Sequence, residues 1–94
     1  MARLSEDAVR EQLTTLAGWE RAGDAIRKQY RFDGFRQAIA FVNRVADLAD
    51  AADHHPDFLI QYRDVTLTLT SLDAGGLTAR DFRLAQQIDA PVRA

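Results

Sequence analysis

The chain has 94 residues, enough for one domain around a single hydrophobic core, and we expect residues 1–94 to form that one domain. It contains no cysteine, which excludes disulfides, thiolate metal sites and cysteine nucleophiles, and its net charge of −2 argues against a basic surface for nucleic acid. No stretch has the features of a secretory leader or the ~18 consecutive apolar residues of a membrane helix. We therefore expect a cytoplasmic protein that has neither nucleic acid nor a membrane as a direct partner.

The first third of the chain predicts a helix followed by a hairpin. Ser5 can cap a helix whose first turn carries two acidic residues, and Gly18 is a typical residue for the end of that helix. A short extended segment over 19–21 and a turn over 22–24 follow. Apolar and polar residues then alternate over 26–32, which indicates a strand with one apolar face and completes the hairpin.

The longest segment with helical periodicity predicts a second helix, which Asp33 can cap. Its apolar positions follow the 3.6-residue period, and Phe41 and Leu48 widen the apolar stripe beyond one face. In a small domain, this extra apolar surface favours contact with a second subunit. The helix should end near residues 51–52, because the residue before Pro56 is disfavoured in helical geometry.

The rest of the chain predicts a second hairpin and a third helix. Alternation over 58–62, a turn at 63–64 and alternation over 65–70 indicate two strands, the second with threonines along its polar face. Thr78 and Asp81 have the spacing of a capping box at the start of the last helix. The order α-β-β-α-β-β-α predicts an α+β fold, a four-stranded antiparallel sheet with three helices on one face.

Both histidines of the chain, His54 and His55, are adjacent and lie between the predicted second helix and Pro56. A histidine at a helix end can serve structure alone, through its interaction with the helix dipole. Two imidazoles among several acidic residues instead favour acid–base chemistry, because imidazole titrates near neutral pH. A metal site is less favoured, since neither a cysteine nor a third histidine can complete a familiar ligand set. Asp81 has a structural explanation in the capping box as well as a functional one.

Two motifs at a fixed spacing carry a resemblance to a known family. They are Asp50-x-x-x-His54-His55-Pro56 with Tyr62 after it, and Asp73-Ala-Gly-Gly-Leu77-Thr-Ala-Arg-Asp81. With these motifs and further similar residues over about 4–88, the chain resembles the pterin-4a-carbinolamine dehydratase family. The combination of His-His-Pro with Gly-Leu-Thr-x-x-Asp at this spacing is specific.

The resemblance implies an enzyme that dehydrates 4a-hydroxytetrahydropterin, a product of aromatic amino acid hydroxylases, to quinonoid dihydropterin without a metal or another cofactor. It implies an antiparallel sheet with three helices on one face, dimers formed by joining sheets, and tetramers formed through the central helix. We therefore expect a pterin substrate and a homodimer or homotetramer. Some animal members also bind a homeodomain transcription factor, and some bacterial relatives are non-catalytic RuBisCO assembly factors. The alternative function is therefore non-catalytic binding of a protein partner.

By the resemblance, His54 and His55 are the acid–base pair and Asp81 helps to hold the site, so these three are the expected catalytic residues. The residues expected to bind substrate are Asp50, Pro56, Asp57, Phe58, Tyr62, Ser71 and Leu72. Two of these positions depart from the family pattern, because Phe58 replaces a frequent tryptophan and Leu72 a frequent histidine. Leucine can neither donate nor accept a proton, so Leu72 points to reduced activity and favours the non-catalytic alternative.

Overall fold

The computed structural model describes residues 2–90, which form three α-helices, four strands and one short 3₁₀ helix in the predicted order. The helices are α1 (Glu6–Leu13), α2 (Phe35–Ala52) and α3 (Ala79–Asp89), the strands are β1 (Glu20–Ala22), β2 (Ala25–Arg31), β3 (Asp57–Gln61) and β4 (Asp64–Leu69), and the 3₁₀ helix is Leu72–Ala74. Within the described residues, none of the helices has the length and apolarity needed to cross a membrane.

The strands form one antiparallel sheet in the order β1-β2-β4-β3. Strand β4 is central, and its side chains alternate as predicted: the apolar ones are fully buried, and the threonines on the other face are half-buried. The buried side chains of β4 are Val65, Leu67 and Leu69. They form the core together with apolar side chains of the helices, so the predicted α+β fold with helices on one face is confirmed.

Helix α1 begins as predicted and ends earlier. The Oγ atom of Ser5 accepts a hydrogen bond from a backbone N–H of the first turn at 3.1 Å. The helix ends at Leu13, because the hydroxyls of Thr14 and Thr15 donate to carbonyls of the last turn and β-branched residues are poorer helix formers. Gly18 therefore does not end the helix; it occupies a later turn with a φ of +83°.

Helix α2 ends at Ala52, as predicted, but it starts without the expected cap. Gly34, and not Asp33, occupies the N-cap position, and no side chain caps the helix there, because the helix begins one residue later than predicted. At the other end, Asp53 has left-handed backbone geometry with a φ of 49°, and its N–H donates to carbonyls of the last turn. Aspartate tolerates this geometry better than most residues. Asp53 thereby terminates α2 and redirects the chain into His54.

The aromatic side chain that widened the predicted stripe of α2 is covered within the same chain. The ring centroid of Phe41 lies 4.6 Å from that of Tyr30 and 4.9 Å from that of Phe32, both of which come from the β2 side of the fold. Leu48 is half-buried and also packs against the core. Phe41 and Leu48 are therefore partly buried within the same chain, and contact of α2 with a second subunit stays a prediction.

Three consecutive exposed apolar side chains lie on β3, at one edge of the sheet. All five residues of β3 are exposed, and Phe58, Leu59 and Ile60 are 37%, 53% and 40% exposed. The turn after this strand falls one residue before the predicted position, because Tyr62 has a φ of 56° and Asp64 already pairs within β4. One edge of β3 is hydrogen-bonded to β4, and no strand of residues 2–90 pairs with its other edge.

A single carboxylate fixes the end of α3 to the sheet. Asp89 accepts hydrogen bonds from Trp19 Nε1 at 2.7 Å, Lys28 Nζ at 2.9 Å and the Tyr30 hydroxyl at 2.5 Å. A carboxylate is unfavourable at the negative end of a helix dipole, and these three donors offset that cost. Burial and the hydrogen bond to the negatively charged Asp89 raise the pKa of Tyr30 well above its usual range.

Candidate active site

Two pairs of imidazole and carboxylate lie where α2 ends. His54 is only 8% exposed, and its Nε2 atom lies 2.6 Å from Oδ1 of Asp81, which is fully buried in the first turn of α3. His55 is exposed, and its Nε2 atom lies 2.9 Å from Oδ1 of Asp50 in the last turn of α2. The adjacent histidines therefore occupy different surroundings, one inside the protein and one in solvent.

Asp81 belongs to the site and to the cap of α3 at the same time. Its Oδ2 atom accepts hydrogen bonds from the Ser71 hydroxyl at 2.8 Å and from the backbone N–H of Thr78 at 2.9 Å. Thr78 closes the other half of the predicted capping box, which is thereby confirmed. One carboxylate oxygen thus caps the helix while the other holds His54, so the structural and functional explanations of Asp81 are compatible.

The contact with Asp81 determines which nitrogen of His54 is available to a ligand. A carboxylate only accepts hydrogen bonds, so Nε2 of the neutral imidazole carries the hydrogen and Nδ1 has a free lone pair. The Nδ1 atom makes no hydrogen bond with any residue between 2 and 90. A carboxylate that fixes the tautomer of a histidine in this way prepares its other nitrogen to take up a proton.

His54 lines a cavity of about 360 Å³ between the C-terminal end of α2 and one face of α3. This volume lies within the range of about 300–1,000 Å³ typical of small-molecule sites. The lining residues are Ala51, Ala52, His54, Arg80, Arg83, Leu84 and Gln87. Only His54 among them was a predicted site residue. The polar residues missed on α3 are Arg80, Arg83 and Gln87, and their spacing of three and four residues from one another is the signal that could have found them.

Two of the predicted substrate-binding residues, Ser71 and Tyr62, do not line the cavity. Ser71 is 1% exposed, and its hydroxyl is engaged by Asp81 and Thr78, so it supports the carboxylate and does not face the cavity. Tyr62 lies in the turn after β3, at the far end of that strand from the histidines, because the five residues of β3 run between them. The chain itself does not bring Tyr62 to His54.

The other predicted substrate-binding residues do not line the cavity. Pro56 is buried directly after the histidine pair, whereas Asp57 and Phe58 are exposed at the start of β3. Leu72 is 88% exposed at the start of the 3₁₀ helix, immediately after Ser71. Within residues 2–90, no group of three or more histidine, aspartate or glutamate side chains is arranged to hold a metal ion.

Comparison with known proteins gives consistent matches over nearly the whole chain. The model of a family described as pterin 4 alpha carbinolamine dehydratase matches residues 2–91. A protein of Roseiflexus sp. named for pterin-4-alpha-carbinolamine dehydratase is 56% identical over 87 residues, which cover 93% of this chain and 94% of the relative. A protein of Thermomicrobium roseum with the same name is 51% identical over 88 residues, covering 94% and 95%.

Solved structures show the same similarity. A crystal structure described as a transcriptional coactivator/pterin dehydratase from Brucella melitensis matches with a TM-score of 0.89 at 31% identity, over 93% of this chain and 95% of that one. A pterin dehydratase-like protein described as a RuBisCO assembly factor in the alpha-carboxysome matches with a TM-score of 0.65 at 23% identity, over 77% of this chain and 86% of that one. At this identity, the match shows the shared fold alone. From the family match and the relatives, this chain belongs to the pterin-4-alpha-carbinolamine dehydratase family.

Proposed function

We propose that this protein dehydrates a 4a-hydroxytetrahydropterin to the quinonoid dihydropterin. The observation that carries the proposal is the buried pair of His54 and Asp81, with 2.6 Å between Nε2 and Oδ1, at the wall of a cavity of about 360 Å³. Membership of the dehydratase family supports the same reaction. The position of the pair gives one imidazole a fixed tautomer and access to a ligand.

The reaction needs a base and an acid but no electron transfer. The bond between the carbinolamine carbon and its hydroxyl oxygen breaks, and the hydroxyl leaves as water once it has gained a proton. The neighbouring ring nitrogen loses its proton, and its electron pair forms the new C=N bond. Each proton transfer by a positioned side chain contributes roughly 10²–10⁴-fold to the rate.

We assign the base to His54 and the acid to His55. The Nδ1 atom of His54 would take the proton from the ring nitrogen, and Asp81 would stabilise the imidazolium that forms. His55 is held by Asp50 on the solvent side, from which it would protonate the departing hydroxyl. This assignment requires the pterin to extend from the cavity past the end of α2, since His55 itself does not line the cavity.

Leu72 supports a second candidate function, which is non-catalytic binding of a protein partner. Its side chain is 88% exposed. By the family resemblance, a histidine would be expected at this position. A large exposed apolar side chain beside the site would suit contact with another protein better than proton transfer. A protein with the same fold is described as a RuBisCO assembly factor, which is a role in protein assembly and not in catalysis.

We also propose that the protein is a homodimer joined through β3. Within residues 2–90, no strand pairs with the outer edge of β3, and exposed apolar side chains flank this edge, which is the type of edge that pairs readily with another strand. Two copies related by a two-fold axis would extend the sheet and cover Phe58, Leu59 and Ile60 together.

The test is dehydration of freshly generated 4a-hydroxytetrahydropterin, followed by absorbance and corrected for the spontaneous reaction. The wild type is compared with His54→Gln, in which the amide still donates to Asp81 but cannot shuttle a proton. Arg36→Gln is the matched control, because Arg36 is exposed at the opposite end of α2. We expect catalysis by the wild type and the control and at least a 100-fold loss in His54→Gln. If the wild type does not exceed the spontaneous rate, the enzymatic function is excluded and protein binding remains as the candidate function.

A further inference from the structure

The charge of the cavity wall comes entirely from α3. Arg80, Arg83 and Gln87 contribute their polar side chains from one face of this helix, at spacings of three and four residues. The facing wall of α2 consists of Ala51 and Ala52, whose methyl groups leave space and offer no charge. Among residues 2–90, no carboxylate lines the cavity, so the wall opposite α2 is positive.

Arg80 presents a donor that no group of the described chain satisfies. Its Nη2 atom lies 2.5 Å from Oδ1 of Asp73, and this hydrogen bond from Arg80 holds the pKa of the Asp73 carboxyl below its usual value. Its Nε atom is buried and has no hydrogen-bond partner within residues 2–90. A buried guanidinium N–H without an acceptor is costly. The Arg80 side chain also lines the cavity, together with Arg83.

Arg83 supplies the charge that Asp73 does not neutralise. Its side chain is exposed at the cavity and forms no ion pair or side-chain hydrogen bond with any residue from 2 to 90. A guanidinium offers a planar set of donors that matches phosphate and carboxylate. The cavity is thus lined by two guanidinium side chains, of which Arg83 has no anionic partner within residues 2–90.

We infer that the α3 wall of the cavity is an anion subsite, at which Arg83, next to the Arg80 side chain, binds a phosphate or carboxylate carried on the side chain of the pterin. The inference rests on the proposed function, because it places the pterin ring at Nδ1 of His54 in the same cavity. It specifies the class of substrate: a pterin whose side chain is anionic is preferred to one whose side chain is uncharged.

Isothermal titration calorimetry with two matched ligands, 7,8-dihydroneopterin and its monophosphate, tests the subsite. The wild type should bind the monophosphate at least about tenfold more tightly, which corresponds to about 1.4 kcal/mol. Arg83→Gln should lose most of this preference. The control Arg36→Gln should keep it, because Arg36 lies about 20 Å along α2 from the cavity at the other end of that helix. Because Arg83 is exposed, raising the salt concentration should weaken the preference.

Inorganic phosphate identifies the source of the anion. We expect it to compete with the monophosphate and to bind far more weakly than the monophosphate does. Phosphate that binds as tightly as the phosphorylated pterin would overturn the assignment of the anion to a pterin side chain. Equal affinity of the wild type for the two pterins, or a preference that persists in Arg83→Gln, would overturn the subsite itself.

The dehydration assay on wild-type protein separates this inference from the proposed function. Wild type that dehydrates an uncharged 4a-hydroxytetrahydropterin but binds the two dihydropterins equally would retain the proposed function and lose the subsite. Wild type that prefers the monophosphate but catalyses no dehydration would retain the subsite and lose the proposed function. The two failures therefore give different results on the same preparation.

Discussion

Replacing Asp81 with asparagine would reverse the hydrogen-bonding role of His54 with little change in shape. The backbone N–H of Thr78 can only donate, so the amide oxygen of the new side chain must take the place of Oδ2 at 2.9 Å from it. The amide nitrogen then faces Nε2 of His54, where the carboxylate now lies at 2.6 Å. Because the amide nitrogen donates, Nε2 must accept, and the hydrogen of the imidazole moves to Nδ1.

The consequence is the loss of a base at the position where the cavity meets His54. We expect Asp81→Asn to lower turnover by about 10²–10⁴-fold, or about 3–5 kcal/mol in the barrier, which is the contribution of one acid–base group. The stability loss should be about 1 kcal/mol, because the contacts persist without their charge, and Tm should fall by roughly 4–8 °C. Function should therefore suffer far more than folding.

The assay combines dehydration kinetics with thermal unfolding followed by circular dichroism. Ser71→Ala is the matched variant, because it removes one donor from the same carboxylate at 2.8 Å and leaves the contact with His54 intact. We expect Ser71→Ala to lose similar stability but less than tenfold in turnover. If Asp81→Asn keeps its turnover within threefold of the wild type while losing stability, Asp81 serves only as a helix cap and the tautomer argument is refuted.

Four further predictions follow from the burial and contacts of individual side chains. His55→Ala should lower turnover at least tenfold and leave Tm almost unchanged, because His55 is exposed. His54→Ala should lower both turnover and Tm, since it removes a buried donor, and kinetics with thermal melts distinguish the two variants. Leu72→His should raise the dehydration rate about tenfold, or ~1.4 kcal/mol; if neither it nor the wild type has activity or binds pterin, the enzymatic function is excluded. Because its pKa is raised, native Tyr30 keeps a proton that the unfolded chain loses above about pH 10. The free energy of unfolding should therefore fall as the pH rises beyond that value, by at most about 1.4 kcal/mol per pH unit and by less after solvent screening. Urea unfolding between about pH 9 and 11 should show a shallower fall in Tyr30→Phe than in the wild type. Ile60→Asp should make the protein monomeric in light scattering, and a wild type that is monomeric at all micromolar concentrations would contradict the dimer.

Features that depend on neighbours along the chain were predictable from the sequence. The alternation of β4 and the capping box of α3 are both present, because each follows from spacing within a few residues. The end of α2 at Ala52 agrees with the restriction that Pro56 imposes. These local signals, together with the element order, were sufficient for the fold class.

Features that depend on packing between distant elements were not predictable in this way. Ser71 contacts Asp81 only because the end of β4 meets the start of α3, and a list of polar residues near the histidines gives no sign of this contact. The burial of His54 depends on its contact with Asp81 of α3, 27 residues later in the chain, and no spacing rule indicated which of the two histidines makes it. Arg83 belongs to the cavity because α2 presents small side chains opposite it.

The anchoring of α3 through Asp89 has a consequence for spectroscopy. Trp19 is the only tryptophan of the chain, its indole N–H donates to Asp89 at 2.7 Å, and its ring meets Tyr30 edge-on with 6.5 Å between centroids. The carboxylate that it contacts belongs to the last residue of α3, seventy positions later in the chain. Intrinsic fluorescence therefore reports on the closure of the N-terminal segment against the C-terminal helix, and a local opening of that contact would change the emission before the sheet unfolds.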